Sequence, residues 1–133
     1  MLRKIAYIVA RLAAAFIMGQ TLYFKFTGSP ESIYIFKMVD MEPWGRWLIG
    51  MLELVASVLL LIPKTAWTGG LLAVGLMVGA IGMHLTILGI EVMDDKGQLF
   101  YYALIVFLSG LYVVFHNKDK ILTDVLPKIL NKK

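Results

Sequence analysis

Four apolar stretches, separated by short polar connections, make up most of the chain. They cover residues 5–26, 46–62, 66–89 and 98–116. Because a helix rises about 1.5 Å per residue, about 20 residues cross a hydrocarbon layer of about 30 Å, and each stretch reaches or approaches that length. The runs are unbroken rather than alternating, which favours helices over the strands of a barrel. The pattern therefore predicts an all-α protein, a four-transmembrane-helix antiparallel bundle.

Two shorter helices are predicted outside the spans. Ser29 is a good N-cap residue and Pro30 suits a first helical turn, so a helix is expected from Pro30 to about Val39. It is too short and too charged to span, which suits the outer membrane interface. Over residues 118–133, apolar positions recur at helical spacing opposite charged ones. This favours an amphipathic helix on the cytoplasmic surface, interrupted at Pro127, and a partner-docking helix is the alternative.

The composition agrees with a membrane protein of one domain. The chain has 133 residues, of which 59% are hydrophobic. Its mean hydropathy of +0.78 exceeds what a soluble core of this size needs. We therefore divide it into a transmembrane domain, residues 1–116, and an amphipathic tail, residues 117–133. Cysteine is absent, which excludes disulfide and thiol chemistry by the chain's own residues.

The charges are distributed unevenly, and their distribution predicts an orientation. Basic residues collect at the two ends and at Lys64 in the second connection, whereas acidic residues collect in the first and third connections. By the positive-inside rule, both termini lie in the cytoplasm. We expect a multi-pass protein of a bacterial cytoplasmic (inner) membrane. Its expected partners are the lipid bilayer and either other membrane subunits or a second copy. The net charge is +4, but the basic residues are not interleaved with aromatic residues, so a nucleic-acid partner is not expected.

Four ionisable side chains lie within the predicted spans, where charge is costly and often functional. Glu53 is expected about 10 Å below the outer boundary and His84 about 8 Å below it. Lys25 lies just above that layer, and Tyr101 reaches the same region from the fourth span. A carboxylate at such a depth must be paired or protonated. These residues are therefore candidates for a buried polar pair or a ligand site, although Lys25 could instead reach the head groups and Tyr101 could be an interfacial aromatic.

Arg11, the fourth of these side chains, is predicted near the inner end of the first span, with no acid at its own level. It shares one helical face with Lys25, and an axial gap of about 11 Å separates it from Glu53, within the combined reach of two long side chains. Gln20 falls on roughly the opposite face, so we expect it outside a pocket shared by Glu53 and His84. No metal site is predicted, and no catalytic residue can be assigned.

Glycines are frequent in the third predicted span. Gly75 and Gly79 form a small-x-x-x-small pair, a pattern that lets a second helix approach closely. We expect the pair to pack inside the bundle, with dimerisation as the alternative.

Several motifs match a known family along about residues 5–116. They are Tyr23-Phe24-Lys25-Phe26 after Arg11, Gly50-Met51-Leu52-Glu53-Leu54-Val55, and the glycine-rich stretch 69–80 followed by Met83-His84. In these features the chain resembles the DoxX-like family of small four-helix membrane proteins. That family includes subunits of thiosulfate:quinone oxidoreductase, so the resemblance implies a quinone-facing or electron-transfer accessory role.

Two functions are therefore expected. The first is an accessory subunit of a membrane redox system, possessing a site for a quinone or another lipophilic ligand in its outer half. His84, Tyr101, Lys25 or Arg11 would donate hydrogen bonds there, and Glu53 would pair the cation or carry protons. The alternative is a structural or assembly subunit without catalytic activity. A small transporter is disfavoured, because the spans show no broken-helix pattern near the midplane beyond their glycines.

Overall fold

The computed structural model describes residues 2–93, 95–125 and 128, and these contain helices but no strand. The helices are α1 (Leu2–Thr27), α2 (Pro30–Met38), α3 (Trp44–Leu61), α4 (Ala66–Met83), α5 (Gln98–His116) and α6 (Lys118–Lys120). A 3₁₀ turn, Pro63–Thr65, precedes α4, and π-helical turns follow α4 (His84–Leu88) and α6 (Ile121–Val125). Among the described residues, four helices are long and apolar enough to cross a membrane: α1, α3, α4 with its flanking turns, and α5. The all-helical prediction with four long apolar helices is confirmed.

Local sequence explains where α1 ends and α2 begins. Gly28 has a positive φ of 72°, which a residue without a Cβ adopts readily just past a helix end. Ser29 then accepts a hydrogen bond from the backbone N–H of Ser32, and Pro30 occupies the first turn of α2. This is the start that the cap pattern predicts. The predicted tail helix is only partly described, since Pro127 and residues 126 and 129–133 lie outside the described residues.

The long helices pack as a ring in which α1 and α4 each contact both α3 and α5, while α1 and α4 barely touch. Helices α1 and α3 run antiparallel, because Arg11 bonds the last turn of α3 whereas Lys25, further along α1, pairs with Glu53 in the middle of α3. The ring therefore has two ends, which we call the Arg11 end and the Lys25 end.

Small side chains form much of the core, and large ones face outward. The buried apolar residues that cluster together include Ala14, Ala15, Ala56, Ala66, Ala73 and Ala103. Leucine, isoleucine, valine and phenylalanine side chains are exposed along the outer faces of all the long helices. Contiguous exposed apolar surface of this extent is not left in water, so it fits contact with a lipid bilayer.

Close helix contact in α4 occurs at glycines other than the predicted pair. A Cβ on Gly69 would lie 2.7 Å from the backbone nitrogen of Leu60, and one on Gly70 would lie 3.1 Å from the carbonyl oxygen of Gly110. Nothing lies within 4 Å of a Cβ built on Gly75 or Gly79. The prediction that this pair packs closely against a helix is therefore wrong within the described chain. Helix α4 touches its neighbours near its start and leaves open space towards its end.

Gly69→Ala is expected to lower the free energy of unfolding by about 1–3 kcal/mol, because the added methyl meets backbone atoms that cannot move aside. Gly75→Ala is the matched control. It adds the same methyl to the same helix without a clash, so it should be neutral or raise stability slightly, since alanine favours a helix over glycine. Thermal unfolding of both variants in one detergent checks this, and equal melting temperatures would contradict the assigned contacts.

Candidate functional site

A cavity of about 520 Å³ lies at the Lys25 end, where α1 and α4 are separated. All five helices from α1 to α5 contribute to its wall, which is mostly apolar. Gly75 and Gly79 are on this wall, so the absence of their side chains leaves the space open. From α2, Ser32 and Phe36 turn their buried side chains towards the cavity and cover it.

An ion pair between Lys25 and Glu53 lies on the cavity wall. The Nζ atom of Lys25 is 3.0 Å from Oε1 of Glu53, and the two side chains are 17% and 5% exposed. Thr21, one turn before Lys25, bridges the two, with its Oγ1 3.3 Å from Nζ and 3.3 Å from Oε2 of Glu53. A carboxylate in the middle of an apolar helix is thus neutralised by a lysine from the neighbouring helix, which removes most of the cost of its burial.

The hydroxyl of Thr21 can satisfy only one acceptor, because it carries a single proton. Its distance to the carbonyl oxygen of Met18 is 2.8 Å, shorter than its 3.3 Å to Glu53. The proton therefore favours Met18, and Oε2 of Glu53 keeps acceptor capacity. The ammonium group of Lys25, with three protons and two acceptors at hydrogen-bond distance, also has one proton left to donate.

Arg46 fixes the backbone around Lys25. It is 6% exposed, and its guanidinium binds the carboxylate of Glu42 through Nε at 3.0 Å and Nη2 at 2.9 Å. Its remaining nitrogen, Nη1, donates to the carbonyl oxygen of Lys25, one of the last carbonyls of α1 that no helical N–H reaches. The first turn of α3 thereby caps the end of α1.

Arg11 forms the corresponding cap at the opposite end. Its Nε donates to the carbonyl oxygen of Leu60 at 2.8 Å and its Nη2 to that of Leu61 at 2.9 Å. The guanidinium also lies 5.3 Å from the ring centre of Tyr7. Helices α1 and α3 thus cap each other's last turn, and Arg11 is used for this rather than for Glu53.

His84 stands on the cavity wall opposite the helix pair α1 and α3, in the π turn that follows α4. It is 5% exposed, and its Nδ1 lies 2.9 Å from the carbonyl oxygen of Gly89. Phe100 of α5 packs edge-on against the imidazole, with 5.5 Å between the ring centres. The ring is therefore held by a backbone bond on one side and an aromatic contact on the other.

Asp95 organises the loop between His84 and α5. Its carboxylate accepts the backbone N–H groups of Val92 at 3.0 Å, Gly97 at 2.8 Å and Leu99 at 3.2 Å. Burial raises the pKa of Asp95, but these three donors, with a contribution from His84, outweigh it and hold the pKa below its usual value. At the cavity mouth, burial and the negative charge of Asp95 raise the pKa of Glu31.

Asp95→Asn is expected to lower the free energy of unfolding by about 1–2 kcal/mol at neutral pH, because an amide nitrogen cannot accept the third N–H. Since the folded pKa is lowered, the stabilisation is complete above the unfolded value of about 3.9 and disappears as the pH falls through the folded pKa. The difference between wild type and variant should therefore shrink in strong acid. Thermal unfolding across pH measures it, with Glu91→Gln, an exposed acid of the same loop, as the control.

The structure brings Lys25, Glu53 and His84 to one cavity, whereas Arg11 and Tyr101 lie elsewhere. Tyr101 is 57% exposed and is not on the wall. Its neighbour Tyr102 lines the cavity and accepts a hydrogen bond from Gln98 at 2.9 Å. Gln20, expected outside the pocket, is also on the wall. Because α1 and α4 separate at this end, a broad arc of α1 faces the cavity, and the expectation for Gln20 is wrong.

Sequence reasoning missed three residues that support the site. Thr21 precedes Lys25 by one helical turn, which is the i, i+4 spacing of side chains on one helix face, and Glu42, in the turn before α3, precedes Arg46 by the same spacing. Asp95 showed no comparable signal, because its role depends on a loop conformation that includes positive φ angles at Met93 and Lys96.

Within residues 2–93 and 95–125, no group of three His, Asp or Glu side chains is arranged to hold a metal ion. No family model, curated protein or solved structure matches the chain. The resemblance to the DoxX-like family therefore stays a prediction, and the geometry of the cavity is the basis for any functional assignment.

Proposed function

We propose that this protein binds a lipophilic ligand with a polar head group, of which a quinone is one example, in the cavity at the Lys25 end. The observation that carries the proposal is the mostly apolar cavity of about 520 Å³ whose wall holds the Lys25–Glu53 pair and His84. Ligand pockets in proteins are typically about 300–1,000 Å³, mainly apolar, with a few polar groups that orient the ligand. This cavity has both properties.

The redox part of the proposal rests on the resemblance to the DoxX-like family. In this role the chain is an accessory subunit of a membrane redox system, and it joins other membrane subunits or a second copy. The ligand's head would lie against Lys25 and His84, and Glu53 would carry a proton to or from it, because this residue lines the cavity and its Oε2 keeps acceptor capacity. Without cysteine, the chain would rely on the ligand or a partner chain for electron transfer.

We further propose that the four long helices form an antiparallel bundle across a bacterial inner membrane, with both termini in the cytoplasm and the Lys25 end outside. Helix α2 would lie in the outer interface, and the tail would lie on the cytoplasmic surface. Two tryptophans support the depth of the Lys25 end. Trp44 is 55% exposed and Trp47 is 51% exposed at the start of α3, and tryptophan prefers the head-group region.

Extraction of the purified protein tests the binding proposal. Protein purified in a mild detergent is extracted with organic solvent, and the extract is analysed by mass spectrometry. The control is the extract of an unrelated membrane protein purified from the same cells in the same detergent. We expect one hydrophobic compound to be present at up to one molecule per protein molecule and to be absent from the control. Extracts with only bulk phospholipid in both samples would refute the proposal.

The second candidate is a structural or assembly subunit, and a specific observation favours it. The reciprocal arginine caps and the Lys25–Glu53 pair fix the register of α1 against α3 without any ligand. If the chain has only this role, filling the cavity leaves every property unchanged.

A further inference from the structure

His84 has one ring nitrogen engaged and one left for a partner. Nδ1 is bonded to the carbonyl oxygen of Gly89, and Nε2 has no hydrogen bond to any described residue. Among the described residues, no fully buried side-chain nitrogen or oxygen lacks a partner, so Nε2 retains accessible surface. The residue is otherwise enclosed, with 5% of its surface exposed, and it lines the cavity, so we take the cavity as the space that Nε2 faces.

In the neutral imidazole, the bond to Gly89 fixes what Nε2 can do. A carbonyl oxygen only accepts, so Nδ1 must carry the proton, and in a neutral imidazole the other nitrogen is then an acceptor. An acceptor inside a mostly apolar cavity calls for a donor from whatever occupies the cavity. A carbonyl or an ether cannot supply one, whereas a hydroxyl can.

We infer that the cavity selects a lipophilic molecule whose head carries a hydroxyl group, such as a phenol or a quinol, which donates to Nε2 of His84. This inference rests on the proposed function and names the ligand class for the same site. A head group with only carbonyl or ether oxygens, such as an oxidised quinone, would leave Nε2 without a donor from the ligand.

Two donors on the wall do not discriminate between these heads. Lys25 keeps one proton to donate, and the hydroxyl of Tyr102, which accepts from Gln98, keeps its own proton. Both can donate to a carbonyl or to a hydroxyl oxygen. Glu53 is an acceptor too, but Lys25 already pairs with its carboxylate at 3.0 Å, so His84 is the acceptor on which this inference depends.

Two substitutions of His84 distinguish the roles of its two ring nitrogens. The amide nitrogen of an asparagine sits where Nδ1 does, so His84→Asn can keep the bond to Gly89 and places nothing at the position of Nε2. The longer side chain of His84→Gln carries an acceptor at that position. A structural role for His84 that works through Gly89 alone predicts that the asparagine variant behaves as wild type in every measurement.

The test uses two probes of nearly equal shape, 4-octylphenol and 4-octylanisole, which differ by a methyl group on the oxygen. Wild type, His84→Asn and His84→Gln are placed in nanodiscs of phosphatidylethanolamine and phosphatidylglycerol at pH 8. Bound probe is measured by mass spectrometry after gel filtration, and retention by empty nanodiscs is subtracted to remove partitioning into lipid.

We expect wild type to bind the phenol about tenfold more tightly than the anisole, which is the loss expected for one unmade hydrogen bond to a buried acceptor. The preference should fall to about twofold or less in His84→Asn and be partly restored in His84→Gln, with thermal unfolding showing that all three are folded. Equal binding of both probes by wild type overturns the hydroxyl selectivity while leaving the proposed function in place. A preference that persists in His84→Asn also overturns it, and binding of neither probe overturns the inference and the proposed function together.

Discussion

Lys25→Met is expected to lower the free energy of unfolding by about 3–5 kcal/mol, because it leaves the buried carboxylate of Glu53 without its cation. The carboxylate is on a side chain only 5% exposed, and its other neighbour, Thr21, spends its single proton on the carbonyl of Met18. No other lysine or arginine side chain of the described residues lies within salt-bridge distance of it. The variant must protonate Glu53 or distort the helices to expose it.

Unfolding in one detergent measures this loss of stability, and two further variants serve as comparisons. Lys37→Met removes an exposed lysine of α2 and should change stability by less than about 0.5 kcal/mol. The double variant Lys25→Met/Glu53→Leu removes both charges, and it should regain most of the lost stability, since apolar replacement of a buried pair is often neutral. If Lys25→Met and the Lys37→Met control have the same melting temperature, the Lys25–Glu53 pair is not buried.

The double variant also separates the two candidate functions. If the pair serves only to hold α1 and α3 in register, a folded double variant keeps its partners and retains the same compounds as wild type. If the pair orients a ligand head, the double variant folds but retains less of the compound extracted from wild type.

Gly79→Leu is expected to abolish ligand retention while leaving the protein folded. A Cβ at this position meets no atom within 4 Å, and the residue lies on the cavity wall, so a leucine side chain enters the space that the ligand would occupy. A loss of at least about tenfold in bound compound is expected, because the body of the ligand can no longer be accommodated. Solvent extraction and mass spectrometry of the variant, at equal protein amounts, give the result.

Gly82→Leu is the matched control for this experiment. It lies one turn further along α4, also has no atom within 4 Å of a Cβ, and is not on the cavity wall. It should retain the compound as wild type does. Equal retention by Gly79→Leu and Gly82→Leu would place the ligand outside this cavity, and equal loss in both would point to a general effect of a leucine on α4.

The helices themselves could be predicted because their signals are local. Unbroken apolar runs of membrane-spanning length identify α1, α3, α4 and α5, and the Ser29-Pro30 pair places the start of α2. These signals act between residues within one or two turns of each other, so no knowledge of packing is needed to interpret them.

The glycines of α4 show that such local signals do not predict which positions contact another helix. Gly75 and Gly79 have the spacing of a packing pair, yet they border open space, whereas Gly69 and Gly70 make the close contacts. Spacing tells which residues share a helix face. Whether another helix crosses that face at that height is decided by the crossing geometry of α4 with α3 and α5.

The chain's sequence determined that Glu53 and His84 would lie in an apolar environment and that the carboxylate would need either a cation or a proton. It could not choose between Arg11 and Lys25, which lie on the same face of α1. That choice follows from where α3 ends, because its unpaired carbonyls at Leu60 and Leu61 engage Arg11 and leave Lys25 for the carboxylate. The free nitrogen of His84 is likewise fixed by a carbonyl in a loop. Periodicity and hydrophobicity act along one helix, whereas partners are assigned between helices, and only the tertiary structure contains those distances.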